Sequence, residues 1–268
     1  MPSTLEICRT SFDEIAKLYD EARPCYPQQL VKDVFRHAEL PIENPKILEI
    51  GSGTGKATEN FVFPKCEFHC IEPGLKSIKI ARNKLASFKN LHFTNARFEE
   101  WNNPGEKFDL VISGQAFHWL DVDLGLVKVA DVLKVNACFA LFWNTLAPDS
   151  SDLDIVLDQI YHKYVPFLSR NLVESLPDET IIELQTKLRN SGKFERVITK
   201  RYTWTIDYSA KAYINLMKTF TDVHLLSDGI KKALLERIET EIENSGGVYT
   251  KTYRAVLLVA KKVTDIVN

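Results

Sequence analysis

Short apolar runs and helical patterns alternate along the middle of the chain, between residues 46 and 143. Each apolar run has the length of a buried strand, and each is followed by a polar turn or by a segment with helical periodicity. Strands that alternate with helices at this spacing predict parallel βαβ units with right-handed crossovers, and so a doubly wound α/β sheet. We predict strands near 46–50, 67–72, 91–94, 108–113 and 137–143, and helices near 56–62, 75–86 and 122–133.

The two ends of the chain follow other patterns. Helical patterns lie near 12–19 and 29–35, and the prolines between them predict an extended segment over 19–27. Residues 151–192 and 209–244 are again helical, with breaks at Pro166 and Pro177. The strands expected between and after these helices, at 196–206 and 248–259, are rich in β-branched and aromatic residues.

The first strand is distinctive because it ends in a turn with glycine at every second position. Gly51, Gly53 and Gly55 let the backbone turn sharply and let a ligand lie against the main chain. A dinucleotide-binding turn would have Gly or Ala where this chain has Lys56, which disfavours a nicotinamide-dependent oxidoreductase. The acidic Glu49 beside the turn suits an amino group or a sulfonium better than a pyrophosphate, which it would repel.

Four strand ends are expected to meet at one site, because ligands of open α/β sheets bind beyond the carboxyl ends of the strands. The first end supplies Glu49 and the glycine turn, and the second supplies Glu72 and Pro73. The third supplies residues 95–101, and the fourth supplies 113–119.

At these residues the chain resembles a class I S-adenosylmethionine-dependent methyltransferase. The resemblance implies a Rossmann-like, mainly parallel sheet of seven strands with the last one antiparallel, helical cap insertions, and S-adenosyl-L-methionine as cofactor. It implies one domain over 1–268, with a lid at 1–40, a cofactor-binding core at 41–145, a helical cap at 146–195 and 208–247, and closing strands at 196–207 and 248–262. The cofactor-binding positions that it implies are Glu49, Gly51, Gly53, Gly55, Glu72, Pro73, Ala96, Arg97, Phe98, Ser113, Gln115, Tyr19 and Arg23.

A narrower resemblance rests on two motifs, Ala-Arg-Pro-x-Tyr-Pro at 22–27 and Ala-Phe-His-Trp at 116–119. Together they are similar to a small-molecule branch that includes trans-aconitate methyltransferases. This implies a small-molecule acceptor, with a carboxylate as one possibility and Arg23 as its anion partner. Tyr26, Phe117 and Trp119 are the expected substrate contacts, although Phe117 and Trp119 are equally consistent with core packing.

His118 is the candidate catalytic residue, because its charge changes near neutral pH and its segment lies at the mouth of the expected site. It would serve as a base for a phenol, amine or carbon acid, or it would hold a carboxylate acceptor. The alternative is a histidine that packs beside Trp119 and binds the backbone.

Composition narrows the function further. The chain of 268 residues is 45% hydrophobic and 26% charged with a net charge of −2, so it lacks the basic surface that nucleic acid binding needs. No apolar run approaches 18 residues, and we expect a cytosolic protein without a membrane span. The alternative to an enzyme is a catalytically silent protein that binds the cofactor or acts as a scaffold, and the oligomeric state is not predicted.

The five cysteines, at positions 8, 25, 66, 70 and 138, show no metal-binding spacing. Cys66 and Cys70 sit on a predicted strand, where four residues span roughly 13 Å, too far for two thiolates to share a zinc ion. We expect buried free thiols, which fit a reducing compartment, and no metal site.

Overall fold

The centre of the molecule is a seven-stranded sheet. A computed structural model describes residues 15–147, 151–166 and 178–263. The expected helix near 12–19 lies partly outside these residues, and the break at Pro177 lies outside them. The strands are β1 (Lys46–Ile50), β2 (Glu67–Glu72), β3 (Leu91–Asn95), β4 (Phe108–Gly114), β5 (Leu133–Leu146), β6 (Phe194–Ser209) and β7 (Val248–Lys262).

Helices cover both faces of this sheet and one of its ends. No helix in the described part of the chain is long and apolar enough to cross a bilayer. The helices are α1 (Ala16–Ala22), α2 (Gln28–Ala38), α3 (Thr58–Phe61), α4 (Leu75–Lys84), α5 (Val122–Val132), α6 (Asp152–Tyr164), α7 (Asp178–Asn190), α8 (Ala210–Met217), α9 (Thr221–His224) and α10 (Asp228–Asn244).

The strand order is β3-β2-β1-β4-β5-β7-β6. The strands from β3 to β5 are parallel to one another, whereas β7 runs antiparallel to both β5 and β6. The predicted doubly wound, Rossmann-like sheet with an antiparallel final strand is therefore confirmed. Strand order reverses between β1 and β4, which is the point where such sheets bind ligands.

Burial on both faces explains why β1 and β4 read as continuous apolar runs. One face packs a core that includes Leu48, Val111 and Phe139, and the other packs a core that includes Ile47, Leu110 and Phe142. The carboxyl ends of both strands are thus held in a rigid frame, which fixes the turns that follow them.

A third apolar core joins helices α6, α8, α9 and α10, called the helical cap below, to the ends of β6 and β7. A buried polar contact also fastens it: Tyr249 donates to Asp154 at 2.5 Å, and the Lys251 ammonium lies 3.8 Å from the same carboxylate. Helix α7, which was expected in the cap, packs instead on the sheet. The reason is its apolar stripe of Ile181, Leu184 and Leu188, which joins the core under β5.

Two local expectations were wrong. Residues 19–22 are helical rather than extended, since Pro24 restricts only the residue before it, and the extended segment is 24–27. The helix expected over 56–62 is the single turn α3, and residues 53–57 form turns. A glycine-rich stretch can hold the chain in turns for longer than apolar periodicity indicates.

Candidate functional site

A cavity of ≈ 170 Å³ opens at the carboxyl ends of β1, β2 and β4, where the strand order reverses. Its walls come from the turn after β1, the ends of β2 and β3, the segment after β4, and helix α1. The residues predicted from sequence that line it are Tyr19, Tyr26, Glu49, Gly51, Gly53, Glu72, Pro73, Arg97, Phe98, Gln115 and Trp119.

The three glycines after β1 have positive φ angles but different surroundings. A Cβ on Gly51 would lie 2.4 Å from the Cβ of Ala116, so this glycine lets the turn pack against the segment after β4. A Cβ on Gly53 would meet nothing within 4 Å, so Gly53 faces open space in the cavity. Gly55 lies outside the cavity lining, and its glycine identity makes room for Leu85.

Glu72 ties this turn to the end of β2. One carboxylate oxygen accepts the N–H of Gly53 at 2.9 Å, and the other accepts the N–H of Gly74 at 2.8 Å. The carboxylate is thereby oriented from two sides before any ligand arrives.

Glu49 is almost fully buried where it borders the cavity. The hydroxyl of Thr58 donates to it at 2.6 Å. Burial is the main cause that raises the pKa of this carboxyl to about 8, against an ordinary value of 4.5. A cationic ligand group would stabilise the carboxylate and lower that pKa again.

The opposite wall is apolar and suits a planar base. Phe98 is buried and lines it together with Ile71 and Leu120. Arg97 also lines the cavity, as does Glu99. Ala96 lies outside the lining and packs against the sheet core.

The end of β4 and the segment after it line the cavity and are hydrogen-bonded to β1 and β5. Ser113 is buried outside the cavity lining and donates to the carbonyl of Ile50 at 2.9 Å, so its role here is structural. Gln115 adopts a φ of 55° and donates its side-chain N–H to the carbonyl of Asn144 at 3.0 Å. Gly114 leaves room for Tyr26, whose hydroxyl would lie 2.7 Å from a Cβ at that position.

Residues 15–27, called the lid below, cross the cavity and are fastened on two sides. On the core side, Lys84 pairs with Asp20 at 2.7 Å, and Asn144 donates to the carbonyl of Cys25 at 3.2 Å. On the cap side, Arg23 donates to the hydroxyl of Thr219 at 2.7 Å.

A second, narrower cavity of ≈ 20 Å³ lies between the lid and the helical cap. It shares Tyr19, Tyr26, Lys56 and Gln115 with the first cavity, so the two adjoin. Arg23 lines it rather than the first cavity, with its guanidinium 4.3 Å from the ring centre of Phe220. No carboxylate of the described residues pairs with Arg23.

Each cavity is lined by a residue with a buried side-chain oxygen that has no hydrogen-bond partner in the described part of the chain. Within the described chain, the Oδ1 atom of Asn144 in the second cavity and the hydroxyl of Thr54 in the first have no hydrogen-bond partner. Buried polar atoms are normally paired, so each is a candidate contact for a bound ligand. With the open turn at Gly53 and the oriented carboxylate of Glu72, the first cavity fits a nucleoside with a polar tail.

Sequence reasoning missed Asn144, Leu146 and Tyr253 in the second cavity and treated Phe220 as core. Asn144 had a visible signal, since it is a polar residue at the end of an apolar strand. The other three reach the cavity only through the way the cap and β7 pack. Two other aromatic residues of the cap, Tyr161 and Tyr213, are core residues.

Phe117 and His118 form a 3₁₀ turn with Trp119. Phe117 is wrong as a substrate contact: it is fully buried, with its ring 5.1 Å from that of Phe139. The indole N–H of Trp143 donates to Nδ1 of His118 at 3.1 Å. Since an indole nitrogen is only a donor, the neutral imidazole carries its proton on Nε2.

Burial also lowers the pKa of His118 to about 4, so the ring is neutral at physiological pH. A neutral ring with its proton on Nε2 can donate a hydrogen bond from that atom. Its one basic nitrogen, Nδ1, is already engaged by Trp143.

We predict that Glu49 makes the free energy of unfolding fall as pH rises from 4.5 towards 8. Over this range the unfolded chain loses the proton of this carboxyl while the folded protein keeps it, and the loss of stability is complete above pH 8. Glu49→Gln should remove this slope and gain on the order of a few kcal/mol relative to wild type between pH 5 and pH 9. Urea unfolding measures the difference, with the exposed Glu100→Gln as control; parallel curves for wild type and Glu49→Gln would contradict the prediction.

We also predict that His118 stays neutral from pH 8 down to pH 5 and holds its proton on Nε2. Nitrogen-detected NMR of the imidazole, with assignment by His118→Gln, would show both the tautomer and the titration. The exposed His162 supplies a second imidazole signal for comparison. A midpoint near 6.5 for His118 would overturn the assignment.

Comparison with known proteins agrees with this geometry. Residues 48–139 match the family model described as a methyltransferase domain. A solved structure of a putative type II methyltransferase from Anaeromyxobacter dehalogenans has the same fold, with a TM-score of 0.61 at 20% identity over 90% of this chain and 96% of that one.

Two relatives in sequence each match about half of the chain or less. A probable S-adenosylmethionine-dependent methyltransferase of Saccharomyces cerevisiae, CRG1, is 32% identical over 152 residues, which is 54% of this chain and 50% of that protein. A malonyl-[acyl-carrier protein] O-methyltransferase of Ilyobacter polytropus is 29% identical over 119 residues, 43% of each chain. The chain thus matches about half the length of these curated relatives or less. Residues 48–139 are therefore similar to a methyltransferase domain, and the solved structure shares the fold of this chain.

Proposed function

We propose that the protein transfers a methyl group from S-adenosylmethionine to a small-molecule acceptor. The observation that carries this proposal is the pair of groups at the first cavity, the open turn at Gly53 and the carboxylate of Glu72, joined by a 2.9 Å hydrogen bond. Gly53 leaves space for the methionine part, and Glu72 can accept both hydroxyls of a ribose. The apolar wall at Phe98 takes the adenine.

The bound cofactor would supply a methyl group already activated by a positively charged sulfur. The residues of this chain therefore need only to bind, align and exclude water. The lid residues Tyr19 and Tyr26 separate the first cavity from the second, and both border each of them. Their rings would also stabilise a cationic sulfur between the cavities.

We propose that the acceptor is a carboxylate whose anionic group reaches Arg23 at the second cavity; at ≈ 20 Å³ this cavity holds about one water molecule, so the lid would have to move to admit the acceptor. Arg23 has no carboxylate partner among the described residues, so it can bind an anion there. A carboxylate is already a nucleophile and needs no base, which agrees with a neutral His118 whose Nδ1 is engaged. The resemblance to trans-aconitate methyltransferases and the malonyl O-methyltransferase relative support the same acceptor class.

The composition supports the rest of the proposal. A net charge of −2 favours a small acceptor over nucleic acid. Four cysteines in the described ranges are free, which fits a reducing compartment such as the cytosol.

We predict that Gly53→Arg abolishes binding of S-adenosylmethionine and S-adenosylhomocysteine while the protein stays folded. The side chain would enter the cavity without meeting other atoms near its Cβ. Gly105→Arg is the matched control, because Gly105 also has a positive φ and open space but lies outside the cavity. Calorimetry measures both, with NADH as a control ligand, and Glu72→Ala against the exposed Glu100→Ala adds a second pair.

If Gly53→Arg and Glu72→Ala both bind the cofactor as tightly as the wild type does, the cofactor site lies elsewhere. Binding without S-adenosylhomocysteine formation across a panel of small carboxylic acids, phenols and amines would favour the catalytically silent alternative.

We predict that Arg23→Gln raises the KM for a carboxylate acceptor at least about tenfold, since a charged hydrogen bond is worth roughly 1.5–3 kcal/mol. The dissociation constant of S-adenosylhomocysteine should change little, because Arg23 does not line the first cavity. Arg196→Gln, at an exposed arginine, is the control. An unchanged KM in an active enzyme would remove the anion role and leave methyl transfer itself standing.

A further inference from the structure

We propose that Glu67, His69 and His92 form a binding site for a divalent transition-metal ion such as Zn²⁺, separate from the two cavities. The register of β2 and β3 pairs His69 directly with His92. Glu67 is two residues before His69 on β2, so its side chain lies on the same face of the sheet. One ligand atom from each residue lies within 4.8 Å of the other two.

Two of the three side chains are already hydrogen-bonded to each other, and a bound ion would take the place of the shared proton. Oε1 of Glu67 lies 3.0 Å from Nε2 of His69, and the imidazole rings of His69 and His92 have their centres 5.1 Å apart. Ligand atoms around a tetrahedral zinc ion lie roughly 3.3–3.5 Å apart, given bonds near 2.0–2.1 Å. A separation of up to 4.8 Å must therefore shorten by about 1.3–1.5 Å, and the 3.0 Å pair must open by about 0.3–0.5 Å; an exposed His92 on the edge strand β3 allows this.

The surroundings of His69 are those of a metal-binding histidine. Its second ring nitrogen, Nδ1, lies 3.6 Å from Oε2 of Glu106, so each nitrogen faces one carboxylate. A ligating histidine usually directs its other nitrogen to a carboxylate, which orients the ring. The ring also packs against Phe108, with centres 5.4 Å apart.

Lys46 contacts the carboxylate oxygens of Glu67 and Glu106 that face away from His69. Its ammonium lies 3.1 Å from Oε2 of Glu67 and 3.5 Å from Oε1 of Glu106. The remaining oxygen of each carboxylate is the one that faces His69. An ion bound to Oε1 of Glu67 could therefore leave the lysine contacts in place.

The donor set determines which ions fit. Two imidazole nitrogens and one carboxylate suit Zn²⁺, Co²⁺, Ni²⁺ or Cu²⁺, whereas Mg²⁺ and Ca²⁺ prefer oxygen ligands alone. Partial exposure of the cluster leaves further coordination positions to water. The neighbouring thiols do not take part: Cys66 donates to the carbonyl of Phe63 at 3.0 Å, and Cys70 is buried beside Glu49.

The test uses tag-free protein carrying Cys25→Ser, which removes an exposed thiol that could also bind zinc. After dialysis against a chelator, ZnCl₂ is titrated by calorimetry, and CoCl₂ is followed by its visible absorption. We expect one ion per protein, with affinity lowered at least about tenfold by His69→Gln, by His92→Gln and by Glu106→Gln. His162→Gln, an exposed histidine on α6, should leave the affinity unchanged.

Two outcomes would overturn the site: no saturable one-to-one binding by the parent protein, or the same affinity in all three variants and the parent. Circular dichroism confirms that each variant is folded, and Glu106→Gln keeps the test valid if a histidine variant unfolds. Binding of S-adenosylhomocysteine should be unaffected in these variants, so the result is independent of the proposed function.

Discussion

The candidate site depends on the hydrogen bond from the Gly53 N–H to the carboxylate of Glu72. It joins the turns that follow two neighbouring parallel strands, and both turns carry groups that a nucleoside would contact. The parallel register of β1 and β2 sets their separation, and Gly53 can donate because the turn holds it at a positive φ. A small shift of either strand would separate the space for the ligand from the carboxylate that holds it.

Burial gives unusual charge states to Glu49, which lines the first cavity, and to His118, which lines neither cavity. Glu49 is held largely protonated and His118 is held neutral, in both cases mainly because the charged form would lose its hydration. Without a cationic ligand Glu49 is neutral, so Glu72 carries the negative charge beside the turn. Because Trp143 occupies Nδ1 of His118, the ring offers a hydrogen-bond donor at Nε2 and no free basic nitrogen.

Sequence was a reliable guide wherever local pattern and topology agree. The buried strands β1 and β4 and the acidic end of β2 were predicted with the turns that follow them, because parallel strands bring their carboxyl ends together. Phe117 could not be placed, since an aromatic residue after a strand can face either a cavity or the core. Phe220 and Tyr253 reach the second cavity only through the packing of the cap and β7, which residue spacing does not encode.

Gly114 and Tyr26 are distant in sequence but form one steric unit. A Cβ at position 114 would lie 2.7 Å from the tyrosine hydroxyl and 2.6 Å from the ring of Phe142. The absence of one carbon atom at the end of β4 therefore decides whether an aromatic residue of the lid can occupy its position. A larger residue at position 114 would press on the lid and on the sheet core at once, so the path of the lid is coupled to the packing of β5.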